Sequence, residues 1–151
     1  MKRVLAAVDF TDVTEGVIAK AVALVHAFGG SLCIVHTEPP EPAFMGYEAG
    51  PQTVRDDVAL EIKRDRRELD GLCARVRADG VDVRGVQLQG PTVDKILFEA
   101  DQFQADVIVV GTHEHGLLHH LVFGSVRESL LAQAPCPVLV VPPPKTPPAK
   151  G

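Results

Sequence analysis

Tryptophan is absent from this chain of 151 residues, tyrosine occurs once, and aromatic residues make up only 5% of the total. Valine, leucine, isoleucine and alanine must therefore supply the core, and such side chains suit a parallel sheet covered by helices. No apolar stretch approaches the roughly 18 residues that a membrane helix requires, so no membrane span is expected. The apolar run that follows Met1-Lys2-Arg3 is also too short for a signal peptide.

Cysteine is scarce as well. The three cysteines, Cys33, Cys73 and Cys136, form no CxxC pair, and an odd number cannot all be joined in disulfides within one chain. We expect buried or half-buried free thiols in a reducing compartment, which predicts a cytoplasmic location.

The chain lacks an excess of basic residues, since its formal net charge is −5 at pH 7. A protein that tracks nucleic-acid phosphates normally carries a basic surface, so no nucleic-acid partner is expected. The densest basic run, Lys63–Arg67, is interleaved with acidic residues and predicts a solvated helix face.

What the sequence does contain is a regular alternation of short apolar runs with helical patterns. This order predicts an α/β fold of three layers, an open, twisted, five-stranded parallel sheet flanked by helices, Rossmann-like. We expect one domain over residues 1–141, with the third strand at an edge, and a disordered proline-rich tail over 142–151. The predicted strands are Val4–Val8, Ser31–His36, Val81–Leu88, Asp106–Val110 and Pro137–Val141. The predicted helices are a first one capped by Thr11 and ending at Phe28, then Thr53–Asp79, Val93–Phe103 and Ser125–Ala134.

The ends of the strands are the expected place for a ligand, because open α/β sheets bind ligands beyond the carboxyl ends of their strands, where the strand order reverses. Four positions qualify, namely Asp9, His36–Thr37, Gly90–Pro91 and Gly111. If the first and fourth strands are neighbours, Asp9 and Gly111 face each other across a crevice. A structural alternative for Asp9 is a turn or helix-cap residue. The proline- and glycine-rich stretch 38–52 predicts a long irregular loop, which is usually functional or mobile.

The segment Gly111–Val126 carries the most information about a ligand. Gly111 permits a sharp turn off the fourth strand. Gly124 and Ser125 stand where the last helix begins, and free backbone N–H groups there, with the Ser125 hydroxyl, can hold an anion. The alternative is purely structural, a glycine that ends one element and a serine that caps the next.

Five segments, in order and spread over residues 2–141, resemble the universal stress protein family. They are Arg3–Thr11, Ser31–His36, Ala105–His113, Phe123–Val126 and Ala134–Val141. The resemblance implies an adenine nucleotide alpha hydrolase-like fold, a homodimer formed through the last strand, and in many members ATP binding without vigorous chemistry. The apolar last strand, Val138–Val141, would be an unprotected edge in a monomer.

The ATP-binding branch of that family has a glycine, two residues, a second glycine, nine residues, and then a glycine with serine or threonine. Gly111, Gly124 and Ser125 match this pattern, but Glu114 stands where the second glycine belongs. A carboxylate about 4 Å from a phosphate costs roughly 1 to 4 kcal/mol, although Gly116 offers a way to re-route the loop.

The resemblance also implies a ligand set for an adenine nucleotide (ATP, ADP or AMP, with or without Mg). Asp9 would hold the ribose, Thr37 would lie next to the adenine, and Val110 and Val126 would contact the base and phosphates. The full set is Ala7, Val8, Asp9, Thr37, Val110, Gly111, Thr112, His113, Gly116, Gly124, Ser125 and Val126.

Four histidines, His113, His115, His119 and His120, lie close together beside Glu114. Their spacing matches no standard metal motif such as a helical HExxH, so no metal ligand is predicted. A solvated loop, a pH- or phosphate-sensitive loop and a metal site are the three readings, in that order of preference. His26 and His36 are expected to lie on a helix surface and at a strand end rather than to act as ligands.

The sequence thus predicts a dimeric universal stress protein that binds an adenine nucleotide as a regulatory ligand. Two alternatives stay open, a dimeric interaction module that binds no nucleotide, which Glu114 favours, and a weak ATPase. No nucleophile and base can be paired, so no catalytic residue is predicted, and slow ATP hydrolysis or autophosphorylation is a further open reading. The nucleotide, the stress and any partner protein are not specified.

Overall fold

The computed structural model of the chain describes residues 1–38, 52–112 and 123–145. Strands and helices alternate along these ranges, as predicted, and their ends differ from the predicted ones by only a few residues. The predicted loop and most of the tail lie outside the described residues. In chain order the elements are β1 (Arg3–Val8), α1 (Thr14–Phe28), β2 (Ser31–Glu38), α2 (Gln52–Ala78), β3 (Asp82–Gln89), α3 (Thr92–Phe103), β4 (Val107–Gly111), α4 (Phe123–Gln133) and β5 (Val138–Val141).

The five strands form one parallel sheet in the order β3-β2-β1-β4-β5. The strand order therefore reverses between β1 and β4, which are neighbours, and β3 lies at an edge as its weaker apolar pattern predicts. The α/β fold of three layers is confirmed.

Two helical layers explain why β1 and β2 are apolar at successive positions. Neighbouring residues of a strand point to opposite faces. Val4 and Ala6 pack in the cluster that contains α1 and α2, whereas Leu5 and Cys33 pack in the cluster that contains α3 and α4. Both faces of the central strands are thus removed from water, which is the main favourable term in folding.

The start of β1 is fixed to β4 by one side chain. Asp106 Oδ2 accepts hydrogen bonds from the backbone N–H groups of Lys2 and Arg3, each at 2.9 Å. The Asp106 backbone N–H in turn donates to the Arg3 carbonyl at 2.7 Å. The Arg3 N–H, together with that of Lys2, lowers the pKa of the Asp106 carboxyl because both stabilise its charged form.

The contact between α2 and β3 is close at Gly85. A Cβ atom at this position would lie 2.8 Å from Cys73 Sγ and 3.0 Å from Leu69 Cγ. Glycine therefore lets the helix pack directly on this edge strand. Across the described part of the chain, no helix is both long and apolar enough to cross a membrane.

Candidate functional site

A cavity of about 140 Å³ lies at the carboxyl ends of β1 and β4, where the strand order reverses. Asp9 and Gly111 both line it, so the crevice expected from the sequence exists. The lining is mostly apolar, and three helices contribute to it as well as the strands. The lining residues are Ala7, Val8, Asp9, Val13, Thr14, Val17, Val35, Thr37, Thr92, Ile96, Val110, Gly111, Val126, Arg127 and Leu130.

Asp9 lies at the end of β1, where it has the turn role that the sequence offered as an alternative and also lines the cavity. Its Oδ1 accepts hydrogen bonds from the Thr11 backbone N–H at 3.1 Å and the Thr11 hydroxyl at 2.6 Å, and lies 3.5 Å from the Thr14 hydroxyl. It therefore holds the turn after β1 while its carboxylate borders the cavity. The prediction that Thr11 caps α1 is wrong, because the helix starts at Thr14 after Val13 without a side-chain cap, and the Thr11 hydroxyl bonds to Asp9.

Gly111 is required by a close contact with α1. It is the last residue of β4, and a Cβ atom there would lie 2.6 Å from both Cγ1 and Cγ2 of Val13. Val13 is itself almost completely buried. The sequence points to a turn at this glycine, but the structure shows that space for Val13 at the floor of the cavity is the reason for it.

Thr37 faces the cavity opposite β4, next to the start of α3. Its hydroxyl donates to the Thr92 hydroxyl at 3.3 Å. Thr92 and Ile96 of α3 line the same wall, and neither was in the predicted set. Helix positions at i and i+4 share a face, so the spacing of these two residues after Gly90–Pro91 could have identified them.

The fourth helix completes the wall with Val126, Arg127 and Leu130. Arg127 is the cation that sequence reasoning missed, although it lies in the first turns of the helix at whose start an anion was expected. Predicted ligands Gly124 and Ser125 belong to the first turn of α4, whereas His113, Gly116 and the substituted Glu114 lie outside the described residues. The other loop histidines, His115, His119 and His120, lie outside them too.

Thr112 is not part of the cavity lining, in contrast to the predicted ligand set. Its backbone N–H donates to the Val141 carbonyl at 2.9 Å and so extends the pairing of β4 with β5. Among the described members of the predicted set, seven line the cavity: Ala7, Val8, Asp9, Thr37, Val110, Gly111 and Val126.

A second polar cluster lies next to this site and was not expected. His36 is buried within β2, which continues to Glu38, so its predicted placement at a strand end is wrong. Its Nε2 lies 3.1 Å from Glu38 Oε1 and 3.2 Å from Asp65 Oδ2. Asp65 belongs to the basic run expected to be solvated, yet it is buried and follows the apolar spacing of Ile62 and Leu69 on α2. That spacing could have revealed it.

The three cysteines are free, and Cys33 and Cys73 are buried, as predicted. Burial raises the pKa of the Cys33 thiol to about 11, and its Sγ lies 3.8 Å from Glu99 Oε1. A thiol with such a pKa is protonated at neutral pH and is a poor nucleophile. Packing in the core therefore explains Cys33 better than a role as a reactive thiol does.

Comparison with known proteins extends these observations. A model of the universal stress protein family matches residues 1–142. A universal stress protein of Thermus aquaticus is 34% identical over 146 residues, covering 93% of this chain and 98% of the relative.

Two solved structures share the fold. A universal stress protein of Archaeoglobus fulgidus in complex with dAMP has a TM-score of 0.63 and 22% identity, with 93% of this chain and 98% of that chain covered. A universal stress protein family protein of Arabidopsis thaliana with AMP bound has a TM-score of 0.65 and 18% identity, with 99% and 98% covered.

Proposed function

Because the chain belongs to the universal stress protein family, we propose that it is a regulatory protein that binds an adenine nucleotide in the cavity between β1 and β4. The observation that carries this proposal is the position and lining of the cavity, which lies where the strand order reverses and has Asp9, Gly111 and Arg127 on its walls. Structural neighbours of the same fold with dAMP and with AMP bound support the choice of ligand class.

The enclosed part of the ligand would be the adenosine. A volume of about 140 Å³ is smaller than the roughly 300 to 1,000 Å³ of pockets that enclose a whole drug-sized ligand. The apolar walls at Val13, Val110 and Val126 suit a purine face. The Asp9 carboxylate can accept a hydrogen bond from a ribose hydroxyl, and Thr37 offers a hydroxyl near the base.

The phosphates would lie toward the start of α4. The N-terminal turn of a helix presents backbone N–H groups and a positive dipole end, and both favour an anion. Gly124 and Ser125 belong to this turn, and Arg127 adds a full positive charge on the cavity wall. In this proposal the positive charge of Arg127 offsets part of the repulsion between the Glu114 carboxylate and the phosphates. The proposal covers a nucleotide bound with Mg or without it.

A comparison of two ligands tests this arrangement. We expect wild-type protein to bind ATP with micromolar affinity in calorimetric titrations with magnesium, and to bind adenosine more weakly. Arg127→Gln should weaken ATP binding by about tenfold or more, since hydrogen bonds to charged groups contribute about 1.5 to 3 kcal/mol, and should leave adenosine binding nearly unchanged. Arg66→Gln, which removes an exposed arginine from α2, is the matched control.

The outcomes separate the alternatives. Wild-type protein that binds neither ATP nor adenosine contradicts the nucleotide proposal and favours the interaction module. If only the Glu114→Gly variant binds a nucleotide, Glu114 prevents binding in the wild-type protein and the nucleotide proposal is wrong. Equal weakening of ATP binding in the two arginine variants contradicts the role given to Arg127.

Homodimer formation is the second part of the proposal, and it also fits the alternative of an interaction module without a nucleotide. The specific observation in its favour is that β5 is the last strand of the sheet, with Leu139 exposed. An apolar edge strand left in water invites pairing with another strand. The free cysteines agree with a cytoplasmic location for this dimer.

A further inference from the structure

The cluster of His36, Glu38 and Asp65 joins β2 to α2 and is not used by the proposed nucleotide site. All three residues are more than nine-tenths buried. One nitrogen or oxygen atom from each, capable of holding a metal ion, lies within 4.8 Å of the other two. Burial of an imidazole with two carboxylates is unusual unless the charges are compensated.

The hydrogen bonds of His36 fix where its proton lies. Its Nδ1 is 2.9 Å from the Val8 carbonyl oxygen, which can only accept, so Nδ1 carries a hydrogen. In the neutral ring Nε2 is then a lone pair that faces Glu38 Oε1 and Asp65 Oδ2, which are acceptors as well. Three acceptors at this spacing require either a proton or a metal ion between them.

The charge balance of the cluster is compatible with a divalent ion. A divalent ion between neutral His36 and the two carboxylates leaves no net charge buried, and uncompensated buried charge is costly. Within the part of the chain that the structure describes, the other polar groups at the cluster supply little compensating charge. Gln87 Nε2 donates to Glu38 Oε1 at 2.7 Å but is neutral, and Arg64, 3.6 Å from Asp65 Oδ1, is largely in solvent.

The donor set and its surroundings also match a metal site. Imidazole nitrogen and carboxylate oxygen are ligands of zinc, and the two N···O separations are close to the tetrahedron edge of about 3.3 Å that bonds of about 2.0 Å produce. A metal-bound histidine typically donates its other ring N–H to a carbonyl or carboxylate, as His36 does to Val8. The Phe10 ring, with its centroid 4.5 Å from that of His36, covers one side of the imidazole.

We propose that His36, Glu38 and Asp65 bind one divalent transition-metal ion, with zinc as the best match and a fourth position left for water. The ion would fix α2 to β2. It would also hold the end of β1, because the His36 ring bonds to Val8, and Val8 lines the ligand cavity. This proposal does not rest on nucleotide binding.

Metal content and cobalt absorption test the site without any nucleotide. Full-length protein is stripped with a chelator, dialysed against Zn²⁺ or Co²⁺, and analysed for bound metal and for the ligand-field spectrum of cobalt. We expect one equivalent in the wild type and a rise in its Tm with zinc. Glu38→Gln and Asp65→Asn should each lower zinc affinity by at least about tenfold, since each replaces an anionic carboxylate ligand with a neutral amide.

The loop histidines are the main competitor for the metal, so a variant with His113, His115, His119 and His120 replaced by alanine is the control. It should keep one equivalent and an unchanged cobalt spectrum without thiolate absorption. The proposal is overturned if the wild-type protein takes up no metal. It is also overturned if the variant without the loop histidines loses the metal while Glu38→Gln and Asp65→Asn keep it. If the two carboxylate variants do not fold, the loop variant is the test. Retention of the metal in that variant supports the proposal, and loss of the metal overturns it.

Discussion

At the scale of single residues, the ligand cavity depends on one contact between a strand end and a helix. Val13 precedes α1 and packs its two methyl groups where a side chain on Gly111 would be. Val13 is also a wall of the cavity, so this pair sets both the distance between α1 and β4 and the shape of the floor. Asp9 holds the turn that delivers Val13 to this place through its bonds to Thr11.

Gly111→Ala should lower the free energy of unfolding by about 1 to 3 kcal/mol, because the added methyl group overpacks against Val13. Adding Val13→Ala removes the two methyl groups it meets, so the double variant should be destabilised by less than the sum of the two single variants. Urea denaturation of the four proteins measures this difference. Additive effects would show that the two side chains do not compete for space.

A second glycine provides the control for Gly111. Gly71 lies exposed in α2, and a Cβ atom there would meet nothing within 4 Å. Gly71→Ala should therefore raise stability by about 0.5 to 1 kcal/mol through helix propensity. The same substitution, glycine to alanine, is thus expected to lower stability at position 111 and to raise it at position 71.

At the scale of elements, Asp106 fastens β1 to β4, the two strands whose ends form the site. Its carboxylate receives two backbone N–H groups from the start of β1, and its own N–H returns a bond to Arg3. These bonds lower its pKa, with the Arg3 N–H as the main cause. A carboxyl whose pKa is lower in the folded chain contributes stability above the unfolded pKa and loses it as the pH falls.

Asp106→Asn should therefore reduce the Tm more at about pH 6 than at about pH 3. The carboxyl of Asp106 becomes protonated near pH 3.8 in the unfolded chain and at a lower pH in the folded chain, so its stabilising charge is lost as the pH falls. Thermal unfolding followed by circular dichroism across this pH range measures the difference. Asp82→Asn, at the exposed start of β3, controls for the loss of a surface carboxylate. A Tm difference that stays constant with pH would contradict the role of the charge.

At the scale of the whole molecule, the strand order leaves β5 at an edge, where a second copy could pair. The carbonyls of Pro137 and Val141 accept from Ile108 and Thr112 of the β4 segment. In a parallel ladder, alternate residues bond to the same neighbour. The N–H and C=O of Val138 and Val140 therefore point away from β4 and toward the proposed partner.

Val140→Pro should shift the proposed dimer to monomer, because it removes an outward-pointing N–H without breaking a bond to β4, and an edge strand tolerates proline at such a position. Sedimentation velocity over a range of protein concentrations measures the change. Leu139→Pro is the contrasting variant, since it removes a bond to β4 and should lower the Tm as well. A monomeric wild type would contradict the proposed dimer outright.

The sequence by itself determined the order of elements and the three layers, because apolar periodicity distinguishes strands buried on both faces from amphipathic helices. It also located Asp9 and Gly111 at the ends of strands, and the structure showed that these two strands are neighbours. It did not place Arg127 on the cavity wall, since that depends on how α4 is rotated against the sheet. The apolar spacing of Ile62 and Leu69 could have revealed the burial of Asp65, but its basic neighbours gave the segment the appearance of a solvated face.

Only the tertiary structure decided why particular residues occupy their positions. The glycines at 85 and 111 are required by side chains that lie far away in sequence, Cys73 and Val13. The cluster of His36, Glu38 and Asp65 likewise exists because α2 packs against β2 there. Local patterns record which face of an element is buried, but the identity of the atoms across that face is set by the packing of distant segments.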